Sequence, residues 1–107
     1  MAAWELRQAG VPHAVVTDAS APGRIAAGEV DAVLVGADRI CANGDVVTTV
    51  GAYPLALACA VSGTPFTVCA ATTSIDLEVA GGTDTTLEEG RPTLVLRAGG
   101  TRVAPEG

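Results

Sequence analysis

The chain reads as an α/β domain: a small parallel sheet with flanking helices, Rossmann-like in style, occupying residues 1–107. Three observations predict this. Ala32-Val33-Leu34-Val35 is a short continuous apolar run, the pattern of a strand buried on both faces of a parallel sheet. A second strand candidate, Pro65 to Ala70 (PFTVCA), follows the longest helical stretch. A third, His13 to Thr17 (HAVVT), precedes a short helical stretch, and strand–helix–strand order belongs to parallel units with right-handed crossovers.

In chain order, Ala2 to Gln8 reads as the last turns of a helix, ended by Gly10 and followed by Pro12. The first strand carries Asp18 at its carboxyl end. Pro22 to Ala27 is a short helix closed by Gly28. The central strand runs into Gly36-Ala37, too small to fill space, and then into Asp38. Ligands of open α/β sheets bind beyond the carboxyl ends of the strands, which makes Asp38 the leading candidate for chemistry. Asn43-Gly44 marks a tight turn, and Asp45 is placed to cap the helix that follows.

That helix is expected over Val46 to Ser62, with Val46, Val50, Leu57 and Val61 near one stripe. Gly51 lowers its propensity, and Pro54 removes a hydrogen bond to Val50 at a cost of about 3 kcal/mol. A kink or a late start is therefore expected, unless Pro54 lies in the first turn. Thr72-Thr73-Ser74 and Asp76 place more polar groups on the presumed ligand edge. Gly81 to Gly90 is a polar acidic loop, and Thr93 to Arg97 (TLVLR) is a fourth strand.

Composition narrows the function. Hydrophobic residues make up 49%, but only three are aromatic, so the core is expected to be mostly Ala, Val and Leu. The net charge is −6 and the six basic residues are all arginine, scattered along the chain, which offers nucleic acid no basic track. No signal peptide or membrane span is expected. Cys41, Cys59 and Cys69 fit no metal spacing and read as reduced thiols of a cytoplasmic protein. No G-x-G-x-x-G run and no metal cluster occurs, so no cofactor is implied.

VGADRICANGD, then VGAY, GTPF and TTSID, together resemble the methylthioribose-1-phosphate isomerase family, which also includes regulatory subunits of the eukaryotic initiation-factor nucleotide-exchange complex. AAWEL, VTD at Val16 to Asp18, and RVAPEG fit the same resemblance. It implies an aldose–ketose isomerisation in methionine salvage, acting on a sugar phosphate, with Asp38 as the acid/base residue. A carboxylate in an apolar, water-poor pocket suits that role. The resemblance also places a family cysteine and the phosphate-binding arginines upstream of residue 1. The family's substrate-binding Asn-Lys pair appears here as Thr48-Thr49. Its EER segment reads Glu88-Glu89-Gly90, with Arg91 one place late. The resemblance therefore describes a partial C-terminal domain, trimmed at both ends. Such a domain is expected to self-associate, as the family's dimers do, or to need a complementing N-terminal half.

Each candidate has a plainer alternative. Asp38 could pair with Arg39 or cap a turn. Thr48 and Thr49 could bind a phosphate, but more often such residues satisfy free N–H groups in a helix's first turn. Cys41 could act as a nucleophile, though a free cysteine is usually a small apolar filler, the reading given to Cys59 and Cys69. His13 reads as a surface residue, and Glu88 and Glu89 as a solvated face. The competing function is a non-catalytic regulatory or ligand-binding module like the initiation-factor relatives.

Overall fold

The computed structural model of the chain describes residues 2–84 and 96–105. Helix α1 (Ala2–Gln8) has the expected boundaries. Val11 N–H donates to the Leu6 carbonyl at 2.9 Å and Gly10 N–H to that of Arg7 at 3.2 Å, which satisfies its last turn. No residue of α1 is buried.

The strand expected over His13 to Thr17 does not form. The segment is exposed throughout, with Val15 79% accessible. An extended segment becomes a strand only where a neighbour pairs its N–H and C=O groups, and no described residue does so here. His13 sits at the surface as expected, its Nδ1 2.8 Å from the Val11 carbonyl. The segment ends in a single 3-10 turn, Asp18–Ser20, that runs directly into helix α2 (Ala21–Ala26). Pro22 lies in the first turn of α2, where its missing N–H costs nothing.

Strand β1 (Val33–Val35) forms in the apolar run read from the sequence, but it is not buried on both faces: Leu34 is 69% exposed. The chain then turns through Gly36 to Asp38 into β2 (Arg39–Cys41), reverses, and pairs β3 (Val46–Val47) antiparallel to it, Arg39 opposite Val47 and Ile40 opposite Val46. The expected helix start at Val46 is therefore wrong. Two β-branched valines beside an exposed strand edge gain a ladder, whereas a helix begun there would carry Gly51 and Pro54 in its interior.

Helix α3 runs from Ala52 to Ser62. Pro54 is its third residue, a position with no intrahelical N–H partner, so the proline costs no hydrogen bond. Gly51 precedes the helix at φ 100, a conformation that L side chains rarely adopt, and Gly63 closes it. The expected stripe is not the buried one. Val50 is 95% and Val61 89% exposed, while Cys59 is buried against α2 together with Ile25. The sequence AYPLALACAVS is apolar on every side, so periodicity could not choose the buried face.

Strand β4 (Phe66–Val68) returns parallel to β1, Val33 opposite Phe66 and Val35 opposite Val68. Strand β5 (Ile75–Asp76) joins β2 in parallel, and β6 (Arg97–Ala98) and β7 (Thr101–Arg102) form a hairpin about Gly99-Gly100. The expected single sheet of about four strands is thus divided into separate small ladders. Of the fourth expected strand, Thr93 to Val95 lie outside the described residues, as do Glu88, Glu89 and Arg91.

Among the described residues the buried apolar side chains are few: Ile25, Cys41 and Cys59, rather than the Ala, Val and Leu expected. Cys59 is core as expected. Cys69 is not, because it lies just past the end of β4 and is exposed. The chain exposes 8357 Å², against roughly 5,500 Å² for a compact folded chain of its mass. Tyr53, Leu57 and Val61 lie along one exposed face of α3. With so small a core, Ile25→Ala should remove about 2–5 kcal/mol of stability. The urea midpoint should fall steeply, and a shift no larger than that of a surface substitution would disprove the role of Ile25.

Candidate functional site

A cleft of about 250 Å³ lies at the carboxyl end of β1. It opens to solvent. Val35 and Gly36 form its floor, Thr48 and Thr49 come from the β3–α3 loop, Gly51 from the start of α3, and Asp18 from the 3-10 turn. The position is the one expected for a ligand in an open α/β sheet.

Thr48 and Thr49 both line this cleft. Their plainer role is not taken up. Both precede the helix, its cap residue is Gly51, and no side chain caps α3. Thr48 is half-buried and Thr49 exposed.

Asp38 is held by its backbone, its N–H donating to the Val47 carbonyl at 2.8 Å. Its side chain is exposed and does not line the cleft. The apolar, water-poor surroundings expected for it are not formed by the described residues, because Asp38 lies on the surface turn between β1 and β2. Nor does Asp38 pair with Arg39. Arg39 Nε lies 3.6 Å from Asp76 Oδ2 on the neighbouring strand β5, so the adjacent cation is engaged elsewhere. Asp76 Oδ1 also accepts from Glu78 N–H at 3.1 Å. The Thr72 to Asp76 stretch thus supports β2 and contributes nothing to the cleft lining. Cys41 is buried, 3% exposed, and no ligand reaches it to be attacked.

Asp45 does not cap α3. Asn43-Gly44 makes the expected turn, Gly44 N–H donating to the Cys41 carbonyl at 2.9 Å. Asp45 Oδ2 accepts from Asn43 Nδ2 at 3.0 Å and from Gly82 N–H at 3.0 Å, while Asn43 Oδ1 accepts from Asp45 N–H at 2.9 Å. Asn43 N–H and Ala42 N–H donate to the Ala80 and Val79 carbonyls. The Asn-Gly-Asp triplet is therefore a clasp between the β2–β3 turn and the segment 79–82. Gly81 is buried in it: a Cβ there would lie 2.9 Å from Asn43 Nδ2. The partner is 37 residues from Asp45, so local pattern offers no signal for it.

The residue that sequence reasoning left out of the site is Asp18. Its signals were its place at the end of an apolar run, which is not a strand, and the Val16 to Asp18 stretch that fits the family resemblance.

Parallel strands joined through a helix, with a cleft beyond a strand's carboxyl end, define an α/β domain. The model of the initiation factor 2 subunit family matches residues 1–107, and the chain belongs to that family. It is 44% identical over 107 residues to the methylthioribose-1-phosphate isomerase of Chloroflexus aurantiacus, covering all of this chain and 31% of that one. It is 41% identical to the protein of the same name from a Thermoanaerobacter species, with the same coverage. Among solved structures, the 5-methylthioribose 1-phosphate isomerase of Pyrococcus horikoshii superposes with a TM-score of 0.94 at 41% identity, covering 100% of this chain and 30% of that one. The translation initiation factor eIF-2B delta subunit from A. fulgidus superposes at 0.89 with 30% identity, covering 98% and 30%. The chain thus spans under a third of the length of these relatives.

The clasp titrates. The Gly82 N–H, then Asn43 Nδ2, hold the Asp45 carboxyl below its ordinary value of 3.8, with slight desolvation opposing them. A depressed folded-state value means that this stabilisation is complete above the unfolded value and is lost as pH falls through the folded one. Thermal melts should show stability declining below about pH 4, and Asp45→Asn should flatten that decline. An unaltered acid limb in the variant would rule the clasp out as its source.

Proposed function

We propose that the chain is the cleft-bearing part of a methylthioribose-1-phosphate isomerase, converting an aldose phosphate to its ketose in methionine salvage. The carrying observation is the cleft beyond β1, lined by Thr48, Thr49 and Gly36, in a chain 41–44% identical to proteins of that name. Asp38 is the acid/base residue. Aldose-to-ketose conversion needs a group that accepts a proton at one atom and returns it at another, and a carboxylate does both. Asp38 has its backbone fixed, no described ion-pair partner, and a neighbouring arginine occupied by Asp76. Thr48 and Thr49 bind the substrate through neutral hydroxyls in place of the Asn-Lys pair. No metal or other cofactor is part of this reading.

The water-poor enclosure that acid/base work requires is supplied by other segments of the protein or by a partner. The exposed apolar face of α3 and the large accessible surface support assembly, either as a homo-oligomer or with a complementing N-terminal half. The working place is the cytoplasm, consistent with three free cysteines and with the finding that no described helix is long and apolar enough to cross a membrane. The likeness to the eIF-2B delta subunit, with the change to Thr48-Thr49, favours a second reading, a non-catalytic ligand-binding module.

An amide NMR titration with 5-methylthioribose 1-phosphate tests the binding claim. Gly36, Thr48 and Thr49 should shift in a dispersed spectrum, and a folded chain that ignores the ligand would end the sugar-phosphate reading. For catalysis, Asp38→Asn in the active assembly should abolish turnover and leave the melting midpoint unchanged. Turnover that survives the substitution removes Asp38 from the chemistry, and binding without turnover in the native assembly favours the regulatory reading.

A further inference from the structure

We propose that Asp18 is the residue that recognises the polyol part of the ligand, taking its hydroxyl groups as hydrogen-bond donors. The proposal rests on the sugar-phosphate reading of the cleft and adds the group that orients the sugar within it. Among the described residues, Asp18 is the one ionisable side chain of the cleft lining, where its neighbours are threonines, glycines and aliphatic residues. No described residue donates a hydrogen bond to its carboxylate or pairs with it as an ion. Across the cleft mouth stands Gly51, whose missing Cβ would lie 3.7 Å from Asp18 Oδ2. A Cβ there would make ordinary van der Waals contact with the carboxylate, so it is the positive φ at the start of α3 that calls for glycine.

The carboxylate also borders the start of α3, yet that helix has no side-chain cap. Its acceptor sites are thus not spent on the helix. An ionised carboxylate has two oxygens and about four acceptor sites, which match two neighbouring hydroxyls of a sugar. The same charge repels a phosphate, so a ligand carrying both groups is oriented with its hydroxyls at Asp18 and its phosphate away from it. With a net charge of −6 and no basic residue lining the cleft, this is recognition of the sugar before the anion.

The test compares the native chain with Asp18→Asn and Asp18→Ala in amide NMR titrations against 5-methylthioribose 1-phosphate and against inorganic phosphate, with a thermal melt of each. Hydrogen bonds to a charged group are worth enough that both variants should bind the sugar phosphate about ten-fold or more weakly. Their binding of inorganic phosphate should be unchanged or tighter, and their melting midpoints should stay at the native value. Equal sugar-phosphate affinity in the Ala variant overturns the proposal and leaves the cleft reading standing. Early melting of both variants, the isosteric Asn included, also overturns it, because Asp18 would then be holding α3. A folded native chain that binds no sugar phosphate overturns the cleft reading and this proposal together.

Discussion

Proline 54 has no N–H to give and cannot sit one turn inside a helix without crowding the carbonyl four residues back. That constraint sets where α3 begins, and most of the architecture depends on it. The helix starts at Ala52, so the proline falls at a position with no hydrogen bond to lose. Gly51 makes the entry at a backbone angle open to glycine. Val46 and Val47 are then free to pair with β2, and Thr48 to Val50 become a loop. That loop, the end of β1 and the first turn of α3 enclose the cleft. A helix started at Val46 would have placed Thr48 and Thr49 on its surface and left β2 without its antiparallel partner.

The two acidic motifs of the central stretch divide their work. Asp38 is held by its backbone, and among the described residues its carboxylate has no partner. Asp45, seven residues on, has its carboxylate committed to the clasp with Asn43 and Gly82. The clasp fixes the β2–β3 turn, and Arg39 with Asp76 ties β2 to β5. Each ion pair or hydrogen bond at this surface is individually weak. Together they orient the short ladder that carries the turn on which Asp38 stands, a task that the three buried apolar side chains do not perform.

The distribution of apolar surface tells the same story at larger scale. Helix α3 is apolar on every side, but only α2 covers it closely. An all-round apolar helix belongs in an interior. Tyr53, Leu57 and Val61 are nonetheless exposed on it.

Local sequence determined much of this protein. The bounds of α1, the short α2 behind Pro22, the strands β1 and β4, and the Asn43-Gly44 turn follow from caps, glycines and apolar runs. The motif from Gly36 to Asp45 carried the family. What only the tertiary structure decided are matters of pairing. His13 to Thr17 has strand composition and no described neighbour to pair with. Val46 and Val47 have one, and leave the helix for it. Asp45 finds Gly82 rather than the helix beside it, Arg39 turns to Asp76 rather than to Asp38, and Asp18 reaches the cleft from a 3-10 turn rather than from a strand end. Propensity is a property of a residue and its near neighbours. A ladder, an ion pair or a cleft wall depends on which distant residue arrives opposite, and one sequence does not state that.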